Sequence, residues 1–203
     1  MAEEDFSAIY EEISFPESVE LGNYRTNGFT ALCSIGEIYS AIDLRNNSEC
    51  SLIVIAPATA IASPDIAARL LYKAEKACFF AHKNFLSVRE CFNAGECYCI
   101  VTVPLTGTSL RKAAEENRDL AALVPKAASE IASLMAAAAN APIPLYFQLT
   151  PDDIFITPEG TIKVIFYDSS TAKYSEYSER MYYSEYAIKG LKGIIGEDNV
   201  VLK

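Results

Sequence analysis

The order in which strand-like and helix-like runs follow one another constrains this chain more than any single residue. Residues 22–56 are rich in β-branched side chains, and within them the runs 35–42 and 51–55 are separated by Arg45-Asn46-Asn47-Ser48. Such runs around an Asn pair predict a hairpin. Ser63-Pro64-Asp65 predicts a helix start, with Ser as cap and Pro in the first turn. Ile66, Leu70, Ala74, Cys78 and Ala81 recur at helical spacing and give that helix a buried face. Two short strands are expected at 85–91 and 97–103, joined by Asn93-Ala94-Gly95-Glu96, before Pro104 and Gly107 break the pattern.

The second half reads differently. A short helix is expected at 109–117. A long Ala-rich helix follows at 120–140, with Leu123, Ala127, Ile131, Leu134 and Ala138 on one face. Pro125 fits only near its start, and Pro142 and Pro144 stop it. A second hairpin is expected from 154–157 and 161–167 around Pro158-Glu159-Gly160. Residues 168–203 are rich in Tyr, Ser and Glu without a period. Five strands with one inserted helix, then helices, then a hairpin make an α+β chain in two lobes.

Composition narrows the function classes. Hydrophobic residues make up 51% and charged ones 22%, which is globular and excludes wholesale disorder. There are 17 Lys+Arg against 27 Asp+Glu, a net charge of −10. Phosphate backbones are bound by clustered positive charge, so nucleic acid is not an expected partner. No apolar run approaches the ~18 residues of a membrane helix, and the start MAEEDFSAIYEE lacks a signal pattern, so no membrane association is expected. The six cysteines do not read as a disulfide framework, and a cytoplasmic location is the expectation. Residues 1–20 carry seven acids and no base. They read as a solvated leader or, more sharply, as an acidic arm that docks on a basic partner.

Several motifs occur in a telling order: Gly36-Glu37-Ile38-Tyr39-Ser40-Ala41-Ile42-Asp43, His82-Lys83-Asn84-Phe85, Leu105-Thr106-Gly107-Thr108-Ser109-Leu110, then Leu149-Thr150-Pro151-Asp152-Asp153-Ile154-Phe155-Ile156 leading to Gly160-Thr161-Ile162-Lys163-Val164. Across about residues 22–186 the chain resembles protein kinases, most closely the bacterial Ser/Thr type. The pieces are similar, in turn, to the end of the Gly-rich loop, the HPNI after helix αC, the segment leaving the hinge, and the catalytic-loop hairpin. Tyr182-Tyr183-Ser184-Glu185 is faintly similar to the APE end of the activation segment. The resemblance implies an α+β, protein kinase-like fold: a five-stranded N-lobe sheet with an αC-like helix, plus a minimal, mainly helical C-lobe. The expected division is an acidic leader at 1–20, the N-lobe at 21–104, and a truncated C-lobe with an activation-segment-like tail at 105–203.

The family's chemistry is missing from the same positions. Phosphoryl transfer there is positioning and electrostatic stabilisation by a few groups. The first two Gly-rich-loop glycines fall on Ala31 and Cys33. The strand lysine falls on Ile53, and its αC glutamate partner on Lys73, or on Glu75 with a two-residue slip. The HRD triplet falls on Tyr146-Phe147-Gln148, and Gln148 cannot serve as a base near neutral pH. The metal-binding Asn falls on Asp153, and the metal-binding Asp of DFG on Phe166. Asp168 lies two residues past that position, so Asp153 and Asp168 would suffice for one Mg²⁺ with water. The plainer expectation is that Asp153 caps the hairpin and Asp168 starts a loop.

The resemblance therefore implies a catalytically inactive pseudokinase, a protein-binding or regulatory module with no catalytic residues, cofactor or metal. Its degenerate pocket positions are Ile53, Lys73, Thr102, Gln148, Asp153, Phe166 and Asp168. A protein partner or homodimer would cover apolar surface left by a short C-lobe. Two alternatives stand beside it. One is a nucleotide-binding switch without turnover, which needs an open pocket under Thr102 and Val103. The other is an enzyme with residual phosphotransfer through Lys73, Asp153 and Asp168. The single histidine, His82, and the cysteines are expected to be structural. Residues 169–186 read as a tyrosine-rich covering strip or a phosphate-accepting loop.

Overall fold

The computed structural model describes residues 18–55, 64–95, 97–116, 120, 121, 123–146 and 149–165. The first half is an antiparallel sheet with one helix against it. Its strands are β1 (Glu20–Leu21), β2 (Tyr24–Cys33), β3 (Gly36–Asp43), β4 (Ser48–Ile55), β5 (Val88–Ala94) and β6 (Cys97–Thr102), in the spatial order β1-β2-β3-β4-β6-β5. Helix α1 (Pro64–Ala77) enters between β4 and β5 and packs on β5 and β6. The sequence leads to five strands, and the sheet has a sixth. β1 is a two-residue strand paired as Glu20↔Arg25 and Leu21↔Tyr24, too short to show any period. It begins at the last residue of the stretch read as the leader. Helix α1 ends at Ala77, so Ala81, expected on its buried face, is exposed, while Leu70, Ala74 and Ala77 are buried.

The sheet is buried on both faces because it curls. Tyr24 near one edge stacks on Phe92 of β5 at the other, with ring centroids 5.5 Å apart. Arg45, in the β3–β4 turn, binds Asp43 at 2.8 Å, Glu90 of β5 at 3.0 Å, and the Tyr24 hydroxyl. Strand alternation then sorts β4 and β6. Cys50, Leu52, Val54, Cys99 and Val101 fill the inside of the curl with Tyr39 and Ala41. Ile53, Ile55 and Ile100 face α1 and the second half of the chain.

That second half carries β7 (Thr108–Ser109), α2 (Leu110–Glu115), α3 (Val124–Ala139), β8 (Ile154–Ile156) and β9 (Ile162–Val164). Ser109 caps α2 by accepting from the Lys112 N–H at 3.2 Å. Pro125 lies in the first turn of α3, where its missing N–H costs nothing. Ala127, Ile131, Leu134 and Ala138 are buried along one face, as their spacing predicts. The β8–β9 hairpin also forms as expected, and β7 joins it to make a three-stranded sheet.

Residues 82–86 tie the halves together. The Val164 N–H donates to Asn84 O at 2.8 Å and the Leu86 N–H to Val164 O at 2.9 Å. The buried Asn84 amide donates to Ile162 O at 2.9 Å and to Glu130 of α3 at 2.8 Å. His82 Nδ1 accepts from the Asn84 N–H at 3.2 Å, a structural role.

Gly107 shows why the pattern breaks after β6. Its φ is +107°, and a Cβ there would sit 2.1 Å from Ile156 O, against backbone that cannot move aside. Gly107→Ala is expected to cost roughly 2–4 kcal/mol, read as a lower urea midpoint at unchanged slope. An unaltered midpoint would mean that β7 does not approach β8 this closely.

Candidate functional site

Of the residues singled out in the sequence, those the structure describes fall on the middle of β4 (Ile53), on α1 (Lys73), at the end of β6 (Thr102) and just before β8 (Asp153). On β4, Ile53 pairs with Ile38 and Ile100 on the neighbouring strands and is buried. It belongs to one apolar core with Ile35, Leu105, Leu149, Ile154, Val164 and Ile165, which spans both halves of the chain. The middle of β4 is thus occupied by a packed hydrocarbon. Lys73 of α1 is part-buried and Glu75 is exposed. Thr102 is buried at the end of β6. Its hydroxyl lies 2.9 Å from Val103 O and 3.4 Å from Ser51 O, and the Leu105 N–H donates to Ser51 Oγ at 2.9 Å. The Val103 N–H is taken by Ser87 O at 3.0 Å. Gln148, Phe166 and Asp168 lie outside the described residues, as does the tyrosine-rich stretch 169–186.

Asp153 is fully buried. Its local role is the expected one: it closes a turn with Thr150, whose N–H donates to Oδ2 at 3.2 Å and whose hydroxyl lies 2.7 Å from the same oxygen. Its other partner comes from 119 residues away. At the tip of the β2–β3 hairpin, the Ser34 N–H donates to Asp153 Oδ1 at 2.9 Å and the Ser34 hydroxyl to Oδ2 at 2.6 Å. Ser34 Oγ and Thr150 Oγ1 are 2.7 Å apart. Beside Ser34, Ile35 turns into the shared core. The hairpin tip therefore lies directly on the Asp153 carboxylate. Arg111 of α2 holds the neighbouring Asp152 at 2.6 Å, and its N–H donates to Pro151 O at 3.2 Å, fixing this segment from the other side.

The three oxygens Ser34 Oγ, Thr150 Oγ1 and Asp153 Oδ2 form a triangle with 2.6–2.7 Å edges. Both hydroxyls donate to Asp153 Oδ2. Burial raises the Asp153 carboxyl above its ordinary value, against the lowering effect of Ser34 and Thr150. Burial and the nearby Asp153 charge push the Cys33 thiol up to about 12. None of the six cysteines is in a disulfide, and Cys50 and Cys99 are buried. Among the described residues no cluster of His, Cys, Asp and Glu is suited to a metal, and no helix is long and apolar enough to cross a membrane.

Sequence reasoning singled out Asp153 but missed Ser34 and Thr150. Thr150, three residues before Asp153, carries the spacing of a capping pair and was open to detection. Nothing in the sequence links Ser34 to Asp153.

Comparison with solved structures identifies the architecture. The Mycobacterium tuberculosis PknI kinase domain, in a double-mutant form, superposes with a TM-score of 0.71 at 14% identity, covering 90% of this chain and 78% of that one. A second structure of the same domain gives 0.64 at 17% identity, with 94% and 82% covered. A third gives 0.66 at 17%, with 90% and 76% covered. No protein-family profile matches the chain, and no curated protein matches it. The chain has an α+β, protein kinase-like fold.

The raised Asp153 carboxyl gives a signed expectation. Its contribution to stability is full below the ordinary carboxylate value and is lost as pH rises through the raised one. Asp153→Asn removes that dependence and keeps an acceptor for Ser34, so denaturation midpoints across the acidic range should vary less than in the parent. Asp153→Ala leaves the Ser34 and Thr150 donors unmatched and should cost roughly 1–3 kcal/mol. Equal pH profiles for parent and Asp153→Asn would contradict the assignment.

Proposed function

We propose that this chain is a pseudokinase: a kinase-fold protein that neither holds nor turns over nucleotide and acts as a regulatory, protein-binding module. The observation that carries the reading is the contact of Ser34 with Asp153. The hairpin that covers the phosphates in active kinases is hydrogen-bonded instead to the carboxylate at the metal position. Ile53 supports it, because a buried hydrocarbon offers phosphate no countercharge. Gln148 and Phe166, where the resemblance calls for a base and a metal ligand, support it from sequence. Losing several groups that act together leaves little of the rate enhancement of phosphoryl transfer. A folded domain without its chemistry retains surfaces, and a partner protein is the natural user of them.

The test is a thermal-shift titration with ATP and ADP, with and without Mg²⁺ or Mn²⁺. A ligand at a hundredfold excess over its Kd stabilises by about 2.7 kcal/mol. No shift is expected at millimolar nucleotide. A metal-dependent shift would overturn the proposal in favour of a nucleotide switch. Ile53→Lys is expected to gain no nucleotide response and to lose roughly 3 kcal/mol or more, because it buries an unpaired charge among isoleucines.

A further inference from the structure

Helix α1 carries an exposed aromatic stripe that neither core uses. Tyr72 is 59% exposed, and Phe79, just past the end of α1, is 82% exposed, the most exposed large hydrophobic side chain described. Tyr72 and Lys76 lie one turn apart on α1, and Phe79 follows in the turn that leaves the helix. The Lys76 ammonium lies 4.6 Å from the Tyr72 ring centroid. Lys83 is exposed four residues beyond Phe79, and Lys163 reaches the same place by donating to Lys83 O at 2.6 Å. Burial, with smaller effects from the charges of Lys83 and Lys163, holds His82 below its ordinary value. The exposed Glu75 neighbours Lys76, and Glu130 bonds Asn84 beside Lys83. In a chain of net charge −10, this is a local basic and aromatic surface.

We propose that the stripe is a docking surface for the chain's own acidic residues 3–17. Charge complementarity points to them: Glu3, Glu4, Asp5, Glu11, Glu12 and Glu17 come with no base, interleaved with Phe6, Ile9, Tyr10, Ile13 and Phe15. Position agrees. The described chain begins near β5: Gly22 lies against the Phe92 ring, Val19 packs on the core inside the curl, and α1 lies against β5. The stripe is thus one strand and one helix away, roughly 15 Å by their usual dimensions. Fifteen extended residues span roughly 50 Å, so reach is ample. Docking in this way covers exposed aromatic surface and places the acids on Lys76, Lys83 and Lys163. It is independent of the nucleotide site, so its failure leaves the pseudokinase reading standing, and the reverse also holds.

The chain contains no Trp, so Phe79→Trp in the full-length protein is a single reporter at an exposed position. The expected emission is blue-shifted and protected from acrylamide at any protein concentration. It should move to the solvent-exposed wavelength in 1 M salt, where the Debye length is about 3 Å. The same move is expected when Glu3, Glu4, Asp5, Glu11 and Glu12 are changed to their amides. Exposed emission that ignores both treatments would overturn the proposal. So would a blue shift that grows with protein concentration, because the occupant would then be a second copy. Carbodiimide coupling of the parent protein gives an independent reading. Lys76 or Lys83 joined to a carboxylate of residues 3–17 in monomeric product supports the docking, and coupling confined to other sites contradicts it.

Discussion

A carboxylate with no exposed surface has to be answered by donors, and at Asp153 the donors come from two ends of the chain. Thr150 supplies one pair from within the same turn, and Ser34 supplies the other from the β2–β3 hairpin. The hairpin tip is thereby fixed in position. Its neighbour Ile35 enters the core beside Ile53, and the apolar layer runs unbroken from the sheet to α3 and the β8–β9 hairpin. A packed hydrocarbon at Ile53 and a buried, hydrogen-bonded carboxyl at Asp153 both favour a closed cleft.

The rest of the fold supports that closure. The curl of the sheet hides its outer face through Tyr24, Phe92 and the Arg45 cluster, so β4 is buried on both sides. A strand gripped in this way cannot easily present a side chain to a ligand. At the other end of the cleft, Asn84 joins β9 and α3 to the segment after α1, so the two halves are coupled through backbone hydrogen bonds as well as through the core.

Much of this was legible in the sequence because it rests on local pattern. The face of α3, the start of α1 at Pro64 and the β8–β9 hairpin follow from spacing and from Pro and Gly positions. His82-Lys83-Asn84-Phe85 marked the junction between the halves. The two-residue strands β1 and β7 were not legible, because two residues have no period and their pairing depends on tertiary approach. At the site, Ile53 and Asp153 stood out in the sequence, while the contact of Asp153 with Ser34 did not. A contact between residues 34 and 153 depends on how the halves close, which no local rule encodes.

The most direct measurement is the hydrogen-exchange rate of the Ser34 amide, followed by NMR in the parent protein and in Asp153→Ala. Ser34 is an exposed residue, so only its bond to Asp153 can slow its exchange. The account predicts protection near that of β4 amides in the parent, lost in the variant. Exchange at the rate of an open turn in the parent would show that the hairpin does not rest on Asp153, and the closed cleft would fall with it.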